Sequence, residues 1–349
     1  MKTILNKGLN FFELTIFKFN INAMNKNYRW GILGAGRIAE KFCEALCFVE
    51  GSEVYAVASR DIDKAKTYAT KYKATRFYNN YNDLAKDENI DIIYIATPHA
   101  FHYEQTMLCL QHKKAVLCEK PMSLSCRQTA EMIAAAAKNN LFLMEGMWTG
   151  CMPFIDKILS LVKEDVIGQP QYADADFGFL APPDPKGRLL NKALGGGSVL
   201  DIGVYPIFFA TLIFGEPSII QSVSKLTETG VDEYANVVLQ YPDGQTAHIL
   251  STIGLNTAIE AEITGTKGRI KIGNPWFKAT DFSLYLNDGT TQHFSMPHLC
   301  NGFEYEIKEV MHCLDNGLLQ SSRIPHHLTL TISKIMDEIL RQAGIVYQK

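Results

Sequence analysis

The sequence predicts an α/β chain: a doubly wound parallel sheet with its crossover helices, followed by an α+β unit carrying a large, mostly antiparallel sheet. Three observations predict it. Trp30 to Ala39, WGILGAGRIA, runs from a short apolar strand into the glycine pattern Gly34-x-Gly36-x-x-Ala39. Strand-like and helix-like stretches then alternate up to about Met147, among them Asp91 to Ala96, DIIYIA, an apolar run suited to burial on both faces. Beyond that point turn signals recur at Pro242-Asp243-Gly244, Gly265-Thr266-Lys267-Gly268 and Asn287-Asp288-Gly289, and these predict hairpins.

With 349 residues the chain is long enough for two cores. The expected division is a dinucleotide-binding domain over 28–147 and a substrate and dimerisation domain over 148–349. Residues 1–27 read as a poorly ordered extension: Glu13 and Lys18 interrupt the apolar stretch Phe11 to Phe19, and no small-residue cleavage site follows. Met24 is the expected start of the working protein.

In order, the first strand feeds a helix with Ile38, Phe42, Ala45, Leu46 and Val49 on one apolar face. Glu53 to Ala58 is the second strand, and Asp61 can cap the helix after it. A strand near Ala74 to Phe77, a short helix at Tyr81 to Lys86, DIIYIA, a helix over 100–112, a strand at Ala115 to Cys118, a helix over 123–138 and a strand at Leu141 to Glu145 complete the first unit. The second opens with a helix at Phe154 to Lys163, a Pro-rich loop at Ala181 to Pro185 and the turn Gly195-Gly196-Gly197. A helix from Val199 to Phe214 precedes the hairpins, and helices over 303–316 and 326–343 close the chain.

Composition narrows the partners. A net charge of −3, with 47% hydrophobic and 20% charged residues, gives no footprint for nucleic acid and favours a small-molecule partner. No apolar run is expected to span a membrane. The 8 cysteines show no C-x-x-C pair, which fits a reducing, cytoplasmic setting.

In the glycine pattern, Gly34 permits the tight turn, Gly36 admits a pyrophosphate close to the backbone and Ala39 allows close helix packing. Arg37 and Ile38 open the helix whose N-terminus faces the phosphates. The second strand ends in Ser59-Arg60, where NAD-binding chains usually place a carboxylate for the ribose. A hydroxyl and a guanidinium suit a 2′-phosphate, with Arg37 adding charge, so NADP is expected over NAD. Asp61, next in sequence, could turn in toward the ribose, and Arg60 could simply be a solvated charge.

The fifth strand ends Glu119-Lys120-Pro121, placing a lysine at the carboxyl edge of the sheet, where ligands of open α/β folds bind. The segment Gly195 to Pro206 carries Asp201 and Tyr205, one helical turn apart. A lysine opposite Tyr205 would lower its pKa toward working pH. The bland alternatives are a surface lysine, a helix-terminal aspartate and a half-buried tyrosine. Thr97, Pro98, His99 and His102 are expected to line the nicotinamide crevice, with helix capping as the other role for the histidines. No metal site is expected. Trp148 and Phe177 could wall an apolar pocket or be plain core.

Taken jointly, Gly34-x-Gly36-x-x-Ala39, Ala96-Thr97-Pro98, Glu119-Lys120-Pro121 and Gly195 to Tyr205 resemble the Gfo/Idh/MocA oxidoreductase family, from about residue 28 onward. The stretches AGRIAEKFCEAL, AVLCEKP, FLMEGMWT, LDIGVY and GTKG are similar to its dimeric dihydrodiol dehydrogenase branch. The resemblance implies an N-terminal Rossmann domain, and the sheet of the second domain, if one face is apolar, is the expected surface of a homodimer. The resemblance also implies Tyr205 as general acid/base with Lys120 as its electrostatic partner, and Trp148 and Phe177 beside the substrate; Asp201 is expected to orient the substrate. Related sequences often read WTR where this one has Trp148-Thr149-Gly150, so a positive contact in the crevice is expected to be missing. The expected activity is NADP-dependent hydride transfer from a carbinol of a cyclic trans-diol or a pyranose. A sugar ketone or aldehyde reductase and a non-catalytic NADP-binding protein are the alternatives.

Overall fold

The computed structural model describes residues 26–347; the expected extension and Met24 lie almost wholly outside them. The first unit runs β1 (Tyr28–Leu33), α1 (Arg37–Phe48), β2 (Ser52–Ala58), α2 (Ile62–Lys71), β3 (Arg76–Tyr78), α3 (Tyr81–Lys86), β4 (Ile92–Ile95), α4 (His102–Gln111), β5 (Ala115–Glu119), α5 (Cys126–Asn139) and β6 (Leu143–Gly146). Its six strands are parallel in the order β3-β2-β1-β4-β5-β6, so the order reverses beside β1, between the loops that follow β1 and β4. Both faces are covered. Trp30, Ile32 and Tyr94 pack with α1 on one side, while Leu33, Ile93 and Ile95 pack on the other. The DIIYIA run is apolar throughout because both of its faces are interior.

The second unit follows with α6 (Pro153–Lys163), β7 (Pro170–Gly178), α7 (Val204–Phe214), β8 (Ile219–Leu226), β9 (Asp232–Gln240), β10 (Thr246–Thr252), β11 (Ala261–Gly265), β12 (Gly268–Ile272), β13 (Asp281–Leu286), β14 (Thr291–Ser295), α8 (Phe303–Asp315) and α9 (His326–Gln342). The eight strands take the order β14-β13-β12-β11-β7-β10-β9-β8. All pairings are antiparallel except β7 with β10. The three expected turns join β9 to β10, β11 to β12 and β13 to β14.

Sequence periodicity did not single out β7, which occupies the middle of this sheet. Its alternation is weak because alanine fills the inward positions: Ala173, Ala175 and Phe177 point to the core, and Tyr172, Asp174 and Asp176 alternate with them. The outer face is mixed. Exposed Val223 and Val238 stand among Gln221, Asn236 and Lys225, so the apolar condition set for a dimer surface is met only in patches.

Ile38 stays exposed at the start of α1 and is not part of its buried face. The stretch 192–214 is long and apolar enough by composition to cross a membrane, yet most of it is buried inside the protein. It forms the interior of the second unit, where α7 packs against β7, β10 and α9. The last two helices lie across the first unit as well, α8 against α1 and α9 against α5.

Candidate active site

At the carboxyl edge of the parallel sheet, Gly34 turns the chain with φ +103°, and a Cβ there would meet Thr97 Cγ2 at 2.9 Å and the Ala96 carbonyl carbon at 3.1 Å. Glycine is thus required by the protein itself. Gly36 is different: its φ is −100° and a Cβ would meet only Ala96 O at 3.7 Å. Nothing in the fold demands glycine at Gly36, so what it leaves room for lies outside the chain. The N-terminus of α1 begins there with no side-chain cap, Arg37 and Ile38 are exposed beside it, and Ala39 is buried beneath. Free N–H groups at a helix terminus with open space in front of them fit a pyrophosphate.

At the end of β2, Ser59 is buried and its Oγ accepts from Asp61 N at 3.2 Å. Arg60 extends over the Phe101 ring, 5.7 Å from its centroid. Asp61 does not turn in; its Oδ1 accepts from Asp63 N and Lys64 N as the N-cap of α2. The carboxylate next to the expected ribose position is therefore spent on a helix terminus, and Arg60 remains at the rim.

Thr97 and Pro98 form the turn after β4, with the Thr97 hydroxyl on the Gln105 side chain. His99 Nδ1 lies 3.0 Å from Gly195 O, tying this turn to the glycine-rich turn of the second unit. Burial pushes the His99 imidazole down to about 3, so it is neutral, donates from Nδ1 and carries its lone pair on Nε2, 3.7 Å from Asp201 Oδ1. His102 does not reach the crevice. It is fully buried, with Nδ1 2.8 Å from Pro121 O and Nε2 2.9 Å from Thr97 O, and it clamps the turns that follow β4 and β5 to one another.

Glu119 is buried beneath the site, where its carboxylate accepts from the Tyr94 hydroxyl and from Lys120 N. Lys120, across a cis bond from Pro121, sends Nζ into the crevice, where it donates to the main-chain O of Asp201. The same nitrogen stands 4.8 Å from the centroid of the Tyr205 ring, over its face. Burial lowers the Lys120 pKa, opposed by Asp201 and Glu119.

Asp201 and Tyr205 converge on Lys120, but not through an α-helical turn. Val199–Gly203 is a π-helical turn that runs into α7, anchored where Asp232 Oδ2 accepts from Val199 N at 2.6 Å and from Ser198 Oγ at 2.7 Å. Tyr205 is 7% exposed and its hydroxyl accepts from Trp148 Nε1 at 3.1 Å. Its pKa is not lowered toward working pH as expected. Burial pushes it well above the ordinary value, with Glu119 acting in the same direction, and Lys120 meets the ring face instead of the oxygen. The phenol is protonated in this state.

Around it stands an aromatic wall. Phe177 stacks on Phe277 with centroids 4.3 Å apart, both lie against Tyr205, and Trp148 stacks on Phe303 at 4.3 Å. Gly150 does not face the crevice: a Cβ there would meet Ile324 Cδ1 at 2.4 Å and Phe208 Cζ at 2.9 Å. A long side chain has no room at this position in this chain. All eight cysteines are unpaired thiols, and among the described residues no cluster of histidine, cysteine, aspartate or glutamate could hold a metal ion.

Two participants escaped the sequence reading. Arg188, in the irregular segment before the glycine turn, forks onto Asp201 with Nη1–Oδ1 2.7 Å and Nη2–Oδ2 3.3 Å. Phe277 follows β12 in a short turn. A lone arginine and a lone phenylalanine in irregular segments carry no periodic or motif signal.

Comparison with known proteins gives this geometry a family. Residues 28–147 match the profile of an oxidoreductase family with an NAD-binding Rossmann fold, and residues 155–271 match the GFO/IDH/MocA C-terminal domain. The chain belongs to the Gfo/Idh/MocA oxidoreductase family. Within it, the chain is 37% identical over 331 residues to a trans-1,2-dihydrobenzene-1,2-diol dehydrogenase of Xenopus tropicalis, covering 91% of this chain and 99% of that one. The human dehydrogenase of that name is 35% identical, over 91% and 98% of the two chains. Among solved structures, an aldose-aldose oxidoreductase from Caulobacter crescentus superposes with a TM-score of 0.83 at 26% identity, covering 91% and 98%. A 3-ketoreductase from Actinomadura kijaniata, solved with NADP, shares the fold with a TM-score of 0.82 at 24% identity, covering 90% and 98%. The matched Rossmann domain contains the glycine turn, the uncapped N-terminus of α1 and the strand-end residues Ser59 and Arg60.

Proposed function

We propose that this protein is an NADP-dependent dehydrogenase that removes hydride from a secondary carbinol of a cyclic trans-diol or a pyranose. The observation that carries the reading is the convergence, from two separate units, of the Lys120 ammonium and the Tyr205 phenol beneath one aromatic wall. When bound, a nicotinamide supplies the hydride acceptor. Gly36 and the N-terminus of α1 would hold the pyrophosphate, and Ser59 and Arg60 would take the 2′-phosphate, since no carboxylate there opposes it.

The chain's own groups then manage the proton. In this direction the Tyr205 phenol first releases its own proton to solvent and the phenolate then takes the hydroxyl proton of the carbinol, with the Lys120 ammonium over the ring supplying positive charge that works against the effect of burial. Asp201 is ionised, because Lys120, Arg188 and neutral His99 surround it and the two cations hold its pKa far down despite burial. It orients the substrate hydroxyls by accepting from them. Phe177, Phe277 and Trp148 flank Tyr205 with flat apolar surface, which suits the C–H face of a ring.

The same residues serve a reductase of sugar ketones or aldehydes, and one observation favours that direction. Burial keeps Tyr205 protonated, so the resting phenol is ready to donate to a carbonyl oxygen. We assign the protein to the cytoplasm, and we place a homodimer on the outer face of the eight-stranded sheet around Val223 and Val238, to be checked by light scattering.

Initial rates of NADP and NAD reduction, measured separately against trans-dihydrodiols and aldopyranoses, test the reading. Turnover with NADP supports it, and the better substrate class selects between diol and sugar. NADPH binding with no turnover in either direction would replace it with the non-catalytic reading.

A further inference from the structure

Two cations compete for one carboxylate at the centre of the site. Asp201 Oδ1 lies 2.7 Å from Arg188 Nη1 and 3.7 Å from Lys120 Nζ, and Oδ2 takes Arg188 Nη2 at 3.3 Å. The fork of a guanidinium matches both carboxylate oxygens at once, which an ammonium cannot do. Lys120 is left with the Asp201 main-chain O and the face of Tyr205.

We propose that Arg188 is a positioning residue: by taking both oxygens of the Asp201 carboxylate it holds the Asp201–Lys120 ion pair at its long 3.7 Å separation and leaves the ammonium facing Tyr205. Without the guanidinium, the gap between Oδ1 and Lys120 Nζ need close by only about 1 Å to turn this long ion pair into a hydrogen-bonded one. That contact would draw the ammonium from Tyr205 toward the carboxylate. His99 cannot substitute for Arg188, since its ring is neutral and presents a lone pair to Oδ1.

The titratable groups facing Lys120 come from every element around it: Asp201 from the π turn, Glu119 from its own strand, Glu145 from β6, Tyr205 from α7, His99 and His102 from the segment after β4, and Arg188 from the irregular segment before the glycine turn. Arg188 is the one other permanent cation among them. Removing it takes away repulsion and frees a carboxylate, and both changes make Lys120 hold its proton more tightly.

The inference deepens the dehydrogenase reading, but its primary test needs no substrate. The full chain is labelled with trace acetic anhydride across a pH series, and acetylation of Lys120 is read by mass spectrometry. In Arg188→Met the pH of half-labelling rises by about one unit over the parent. In Arg188→Lys, which keeps a charge and loses the fork, it rises by less. A half-labelling pH unchanged in a folded Arg188→Met, with melting near the parent's, overturns the proposal. If Arg188→Met does not fold, an unchanged value in Arg188→Lys overturns it. Labelling that shifts in a protein that turns over no diol or sugar refutes the dehydrogenase reading alone. Turnover without a labelling shift refutes the role of Arg188 alone. Where both hold, kcat falls about tenfold in Arg188→Met with KM little changed, because the loss falls on the proton step.

Discussion

The two glycines of the first turn separate what the fold needs from what a ligand needs. At Gly34, alanine would occupy φ +103° and push its Cβ to 2.9 Å from Thr97 Cγ2 and 3.1 Å from the Ala96 carbonyl carbon. A left-handed conformation costs about 1–2 kcal/mol for an ordinary residue, and an overpacked contact adds about 1–3 kcal/mol. Gly34→Ala should therefore lose about 2–5 kcal/mol of stability. At Gly36, with φ −100° and 3.7 Å to the nearest atom, alanine meets no clash, and its poorer fit as the N-cap of α1 is offset by about 0.4–1 kcal/mol from restricting the unfolded chain, so stability changes little. Its Cβ stands where a pyrophosphate would approach the backbone, so Gly36→Ala should weaken NADPH binding tenfold or more, about 1.4 kcal/mol or greater. Urea unfolding without cofactor and a fluorescence titration with NADPH measure the two quantities. A Gly36→Ala protein that binds NADPH as the parent does would refute the placement of the dinucleotide.

Two further outcomes follow from single contacts. Arg60→Ala should lower the preference for NADP over NAD about tenfold or more by removing the guanidinium from the rim, read as the ratio of kcat/KM with the two cofactors; an unchanged ratio assigns the phosphate elsewhere. Gly150→Ala should destabilise by about 1–3 kcal/mol, because its Cβ would press on Ile324 and Phe208, and a melt at the parent's temperature would show that this part of the core yields.

What was legible in the sequence was local in origin. The glycine turn, the buried strand DIIYIA and the three hairpin turns are each set by a few adjacent residues, and each lies where the pattern put it. Lys120 and Tyr205 could be nominated because strand ends and helix turns have known directions. Their protonation could not be read that way: Tyr205 is raised by burial and by Glu119, neither of which is visible along the chain. His102 looked like a crevice residue from its place after β4, and burial beneath the turns of Thr97 and Pro121 made it a clamp. Arg188 reaches Asp201 from an irregular strap, where no period predicts direction. Strand β7 hid behind alanines, whose small side chains suffice under α7 and the π turn.

The most direct test of the central claim is Tyr205→Phe. The substitution keeps the ring among Phe177, Phe277 and Lys120, and removes only the hydroxyl and the bond it accepts from Trp148 Nε1. Turnover of the best diol or sugar should fall by about 10²–10⁴-fold, the usual share of a positioned acid/base, while NADPH affinity stays within about twofold of the parent. Turnover retained near the parent rate would show that Tyr205 does not move the proton.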